Sequence, residues 1–320
     1  TTGYTYDADN RVTAVTNGAA EETYYYEGLG RLDTLQTYHN GDQIKFETFF
    51  YHGNGGKTNT QVYLHSVCAN HYSLGHHCFY DDNGNLKTVY IDEEYISYTY
   101  DSANQLIREY NGPGDYTFEW TYDDAGNILS RKKYLHNEDE SLTLTETVIY
   151  TYGDSTWGDL LTSYNGNTIT YDAIGNPLSD GTWTYTWEHG RELASMTDGE
   201  TTWDFTYNAD GMRTKRTNGT DTYTYVYNGG QLSQMTKGTD TLRFTYGATG
   251  SPMALTYNGT YYYYVANLQG DVIAILNTAG TAVVEYAYDA WGNPISATGT
   301  MAQTLGKLNP LRYRGYVYDE

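Results

Sequence analysis

Apolar and polar positions alternate along almost the whole chain. In TWTYTW, residues 182–187, Trp183, Tyr185 and Trp187 fall on one side, and Thr182, Thr184 and Thr186 on the other. In VEYAYD, Val284, Tyr286 and Tyr288 share a face in the same way. Period two carried by β-branched and aromatic residues predicts half-buried antiparallel strands. No stretch has a convincing helical period. Two kinds of turn signal separate the strands. Asn-Gly begins at Asn17, Asn40, Asn111, Asn165, Asn218, Asn228 and Asn258, and Asp-Gly at Asp180, Asp198 and Asp210. These dipeptides favour the type I′ turn of two-residue hairpins.

The second signal is an aromatic followed by an acidic turn. It is spelled YDADNRV from Tyr6, YDDNGNL from Tyr80 and Asp81, and YDSANQL from Tyr100 and Asp101. It returns as YDDAGNI (Tyr122, Asp123, Gly126), YDAIGNP (Tyr171, Asp172, Gly175), YNADGMR (Tyr207) and YDAWGNP (Tyr288, Asp289, Gly292). Asp or Asn opens such a turn by accepting backbone N–H bonds, and Gly or Asn three residues later tolerates positive φ, as a type I turn with a bulge requires. With Tyr26, Tyr51, Tyr152, Trp187, Tyr227, Tyr246, Tyr264 and Tyr318 as further anchors, the mean step is about 22 residues. The unit is strand, Asn/Asp-Gly turn, strand, acidic turn.

About 14 such units fill residues 1–320 as one continuous segment. About 28 strands at ~4.8 Å each make a ribbon on the order of 130 Å long, too long for one compact sandwich. The expected fold is all-β, a hairpin array whose twist coils it around a hollow interior. A propeller would need twice the period.

Composition narrows the partners. The formal charge is −22, from 40 acidic and 18 basic residues, and the basic residues are scattered singly. Nucleic acid and anionic membrane surfaces are therefore excluded as partners, and no apolar run reaches the length of a membrane span. There are 38 tyrosines against 7 phenylalanines. Large rings with one wet end suit extended surfaces.

One stretch concentrates coordination chemistry. HSVCANHYSLGHHC holds Cys68, His71, His76 and Cys78, with His65 and His77 beside them. It lies in a long step and is expected as an inserted loop near residues 60–79. Two thiolates and two imidazoles would satisfy tetrahedral zinc. A Cys68–Cys78 disulfide is the alternative, and neither is the third. Asp/Asn clusters such as DDNGN at Asp81 lack the final Glu of an EF-hand and read as turns. No nucleophile, base and oxyanion donor assemble, so no catalytic residue is assigned and no cofactor is required. Tyr261, Tyr262, Tyr263 and Tyr264 place two rings on each strand face and are the candidates for surface contact. Aromatic rows elsewhere read as cross-strand packing or, alternatively, as sugar-stacking surfaces.

The YDxxGN units resemble the tyrosine-aspartate repeats of bacterial Rhs proteins, wall-associated polymorphic toxins, toxin-complex shells and teneurins. YYYYVANLQGDVIAILNTAGTAVVEYAYDAWGNPISATG followed by NPLRYRGYVYDE resembles the approach to the Rhs repeat-associated core. The resemblance implies a partial, spiralling β-cocoon. Its partners would be the remaining shell repeats and a C-terminal effector beyond Glu320, in a secreted or bacterial cell-surface protein. Some relatives self-cleave with an aspartate protease in the core; no position here matches it. The resemblance to teneurins implies the alternative, an adhesion or carbohydrate-binding module contacting glycans or cell-surface proteins.

Overall fold

The alternating runs become strands. The structure, a computed structural model, describes residues 1–51, 61–68, 73–91 and 93–319, the side chains of 61–68, 73 and 74 excepted. Among these residues, 29 strands form two antiparallel sheets in which strand order follows chain order. The first runs from Thr2–Tyr6 to Asn167–Thr168 with 15 strands, the second from Thr170–Tyr171 to Pro294–Thr298 with 14.

The acidic turns share one geometry, illustrated at Asp123. The Gly126 N–H donates to the Asp123 carbonyl (3.1 Å), and the Asp123 N–H donates to the Asn127 carbonyl (3.0 Å). Asp123 Oδ1 accepts the N–H groups of Ala125 and Asn127, each at 2.9 Å, and Asn127 Nδ2 closes the ring onto Oδ2 at 2.9 Å. Gly126 has φ 91°. A register shift between Thr121 and Tyr122 marks the accompanying bulge. The same bonds recur at Asp81–Asn85 and Asp172–Asn176. In these three copies the final Asn of YDxxGN is a side-chain clamp on the opening Asp.

The Asn-Gly and Asp-Gly turns divide. At Asn40, Asn165 and Asn258 both the Asn and the following Gly have positive φ, as type I′ demands. At Asp180, Asp198 and Asn218 only the glycine does. There the side-chain oxygen accepts the N–H groups two and three residues on.

Two compact units emerge. The first comprises Thr1–Tyr80, Thr88–Glu94 and Asp240–Glu320. In it the early strands pack face to face on the late ones through Ala20, Ile44, Met253, Tyr263, Val265 and Leu276. The segment after Thr298 then covers the far side of the late strands. A single π-turn at Ala302–Gly306 buries Leu305. The buried Arg312 donates to the carbonyls of Asn309, Gly306 and Lys307. The second unit comprises Asp81–Lys87 and Tyr95–Thr239. Tyr116, Phe118 and Trp120 form its buried aromatic row. Cations from the next strand lie over the rings, Arg131 and Lys133 above Phe118. Elsewhere in the unit the Arg216 guanidinium sits 4.0 Å from the Tyr223 ring centroid.

Three expectations are corrected. The stretch near 60–79 is no inserted loop: Gln61–Cys68 and Ser73–Tyr80 are strands paired with each other, and the first also pairs with Asp42–Tyr51. Tyr264 is not an anchor, because the acidic turn beside it spans Asn267–Asp271, with Ala266 in the anchor position. Here the roles are exchanged: Asn opens the turn, and its Nδ2 donates to Asp271. Two further turns of this class, Asn137–Ser141 and Asn277–Thr281, follow His136 and Leu276 rather than a tyrosine.

Gly84 and Gly28 both have open space where a Cβ would stand, but only Gly84 holds a positive φ, 85°. Gly84→Ala is expected to cost about 1 kcal/mol, and Gly28→Ala to stay within about 0.5 kcal/mol of the parent. Parallel denaturant titrations of the two variants check this.

Candidate functional site: a latched wall and its buried charges

The anchor aromatics do more than pack laterally. The Tyr26 hydroxyl donates to the Val12 carbonyl (2.8 Å), Tyr51 to Leu32 (2.7 Å), Tyr100 to Leu86 (2.8 Å) and Tyr122 to Leu106 (2.6 Å). Tyr227 reaches Arg213 and Tyr288 reaches Val272 in the same way, and Trp187 uses its indole N–H on Pro177. In each of these pairs the acceptor is the first residue past an acidic turn. Each anchor therefore latches its own strand to the corner of the preceding unit. Burial pushes the Tyr122 hydroxyl up to about 12 and raises Tyr26, Tyr100 and Tyr171, so they remain donors at neutral pH. In the first two repeats arginine replaces the clamping Asn. Arg11 Nε binds Asp7 at 2.7 Å with its guanidinium over Tyr26, and Arg31 Nε binds Glu27 at 2.6 Å over Tyr51.

The turn acids are held as anions. Hydrogen bonds from the fifth turn residue hold Asp7, Asp81, Asp123 and Asp172 below the usual carboxylate range. For Asp81 and Asp123 the side-chain amides of Asn85 and Asn127 contribute most.

A different chemistry is buried in the first unit. The inward face of Ala20–Tyr26 carries Ala20, Glu22 and Tyr24. Register sets Glu22 opposite Thr37, and Thr37 opposite Lys45; Tyr24 faces Leu35, which faces Glu47. Glu22, Lys45 and Glu47 are each about 5% exposed or less. A register shift at Thr37/Tyr38 lets neighbours Ile44 and Lys45 both be buried. Lys45 Nζ lies 2.8 Å from Glu47 Oε2 and donates to the Tyr264 carbonyl of the opposite layer at 3.1 Å. The Tyr24 hydroxyl donates to Glu22 Oε2 (2.5 Å) and accepts the Ala248 N–H (2.8 Å). Burial pushes the Glu22 carboxyl up to about 7, against the pull of Lys45 and Tyr24.

The tyrosine run from Tyr261 to Tyr264 makes its contacts inside the chain. Tyr262, Tyr263 and Tyr264 are buried. Tyr263 hydrogen-bonds His39 (2.8 Å), Tyr261 stands over the Gly18 turn, and Tyr264 donates to Asn309 (2.7 Å). A strand with a layer on each side buries both of its faces, which explains four consecutive rings. Of the Cys/His set, His71 and the side chains of His65 and Cys68 lie outside the described residues. His76 and Cys78 are buried on one strand face, with His77 between them on the other. Cys78 is a free thiol, pushed up to about 11 by burial. It adjoins His77, which pairs with Tyr63, whereas Cys68 occupies the far end of that strand.

Sequence reading missed the latch and the charge cluster. Tyrosine in place of phenylalanine at the anchors was a usable signal for the latch. For the cluster, the signal was the doubly apolar strand around Lys45 in QIKFETFF.

A family model described as teneurin YD-shell matches residues 92–320. The tRNA3(Ser)-specific nuclease WapA of Bacillus spizizenii is 35% identical over 228 residues, 69% of this chain and 9% of that protein. The tRNA nuclease WapA of Bacillus subtilis is 34% identical over the same length and share. The chain thus spans about a tenth of the length of these curated relatives. Among solved structures, the Photorhabdus luminescens Tc holotoxin pore aligns with TM-score 0.64 at 17% identity, covering 99% of this chain and 19% of that one. TcdB2-TccC3 without its hypervariable C-terminal region aligns with TM-score 0.60 at 15% identity, covering 99% and 19%. These structural likenesses establish the fold.

Tyr100→Phe and Tyr122→Phe, which remove only the latch, are each expected to cost about 1 kcal/mol. Tyr4→Phe, at a ring 50% exposed, is expected to change stability little, and urea unfolding of all three checks this. The Asp123 pKa is lowered in the folded state, so its contribution is present above the ordinary value of about 3.9 and lost as pH falls through the folded value. Asp123→Asn is expected to flatten the acid limb of the unfolding midpoint below about pH 4, read between pH 5 and 2.

Proposed function

The chain belongs to the teneurin YD-shell family, and we propose that it is one stretch of a wall that isolates a C-terminal toxin polypeptide of its parent protein. It is a structural shell segment. The observation that carries the reading is the ladder itself, in which strands pair in chain order and anchors latch successive units. Such a wall leaves few backbone groups open to an unfolded polypeptide beside it. Joined to the remaining repeats, it would keep an effector from proteases and from the cell that makes it.

The reading gives this segment no reaction and no cofactor of its own. The likeness to WapA nucleases and to Tc toxin structures supports a toxin-type parent, secreted or carried on the bacterial surface. Among the described residues, no helix is long and apolar enough to cross a membrane.

Adhesion is the second reading, favoured by a half-exposed ring series in the second unit. Tyr95 and Tyr110 stack at 5.1 Å, and Tyr110 and His136 at 4.7 Å. Because these rings cover one another's faces, they offer a sugar mostly edges, and isolation remains the reading we adopt.

In the full-length parent protein, limited proteolysis is expected to digest the effector only after the shell is opened by denaturant, while the isolated effector is cut at once. Equal digestion rates for free and shell-linked effector would refute isolation. A glycan array that captured the segment specifically would then favour adhesion.

A further inference from the structure

The inner face of the first unit holds an imbalance that the wall does not need. Two carboxyls, Glu22 and Glu47, share its interior with one ammonium, Lys45. Lys45 and Glu47 form a close pair. Glu22 has a phenol donor, Tyr24, and feels the Lys45 ammonium only at longer range, across Thr37. An unpaired carboxylate in such surroundings takes up a proton instead of remaining charged.

The structure provides a place for that proton. Thr37 stands directly opposite Glu22, with its buried hydroxyl within the influence of the Glu22 carboxyl. A hydroxyl can donate to the charged carboxylate or accept the O–H of the neutral one, so Thr37 can serve Glu22 in either state. Among the described residues, the groups facing Glu22 are Tyr24 on its own strand, Thr37 on the next, and Lys45 and Glu47 on the one beyond. The opposite layer contributes backbone, namely the Gly247–Ala248 segment and the Tyr264 carbonyl. A Cβ at Gly247 would stand 2.6 Å from both Glu22 Oε2 and the Tyr24 hydroxyl, so the layers meet at this point with no slack.

We propose that Glu22, Tyr24, Lys45 and Glu47 form a proton-operated clasp between the two packed layers of this unit. It is neutral and closed with one proton on Glu22, and negatively charged and weakened without it. The bonds that cross between layers, Ala248 N–H to Tyr24 and Lys45 to the Tyr264 carbonyl, are the ones the extra charge disturbs. The raised Glu22 pKa sets the direction: the clasp's stabilisation is full below the ordinary glutamate value and is lost as pH rises toward about 7. This sign is opposite to that of the turn aspartates, which act below about pH 4, so the two effects occupy separate windows. The clasp stands whether or not the shell encloses a toxin.

The test measures unfolding of the full chain between pH 5 and 8, for the parent and for Glu22→Gln, which keeps the shape and removes the titration. The parent's unfolding constant is expected to rise on the order of a hundredfold across this range, and that of Glu22→Gln to change far less. Glu47→Gln is the second variant. It frees Lys45 to pair with Glu22, and the pH-dependent rise should shrink. Hydrogen exchange of the Ala248 amide, compared at equal pH with Glu22→Gln, locates the effect, and excess exchange above pH 7 in the parent alone is expected. A parent whose stability is flat from pH 5 to 8 would overturn the proposal. So would either Gln variant showing the parent's full dependence, or an Ala248 amide equally protected in parent and Glu22→Gln at pH 8.

Discussion

The wall depends on one recurring bond, from an anchor hydroxyl to the carbonyl just past the preceding acidic turn. A hairpin alone is marginal in water, and antiparallel neighbours need something to fix their register and spacing. The bulged turn sets the direction of that carbonyl, and the ring spans the distance to it. Phenylalanine would fill the same volume and leave the carbonyl to water, so the latch accounts for tyrosine rather than phenylalanine at these anchors. The turn is equally constrained. Its fourth residue adopts positive φ, its first in most copies accepts two N–H bonds, and in several its fifth reaches back to the first. Asn, Arg and the exchanged Asn–Asp pair at Asn267 and Asp271 are three solutions to that last demand.

Charge is handled in two ways. Many of the acids sit at corners, where the carboxylate that opens each turn accepts backbone N–H groups and solvent does the rest. The first unit departs from this by taking Glu22, Lys45 and Glu47 between its layers, where desolvation dominates. The second unit instead buries cations against rings, as with Arg216 on Tyr223 and Lys133 on Phe118. An Arg or Lys stem covers apolar surface as well as bringing charge, which suits a sheet whose core is mainly aromatic.

Much of this architecture was legible because turn chemistry is local. Asp, Gly and Asn within five residues specify a corner, and alternation specifies the strands on either side. What failed to show in the sequence was either non-local or disguised. The acceptor of the Tyr122 hydroxyl lies 16 residues away, at a carbonyl that no side chain identifies. The turns after His136, Ala266 and Leu276 lack the tyrosine that flags the others. Glu22 in AEETYYY reads like any solvent-facing strand position, and only the layer placed over it by residues 240–266 makes it a core residue. The Tyr261–Tyr264 run misled for the same reason, since a strand enclosed on both sides spells itself like one that is doubly exposed.

Because neighbours in the ladder are neighbours in the sequence, a strand emerging from a ribosome or an export channel finds its partner already in place. Successive hairpins can therefore be laid down one at a time, each on a finished template, with little loop entropy lost per step. The exception is the packing of residues 240–319 onto the first 51, which waits until the intervening chain has been made. Vectorial synthesis would then leave the early strands with one apolar face bare for most of the assembly time. That interval is when a chaperone, or premature pairing with another nascent chain, would have its opportunity.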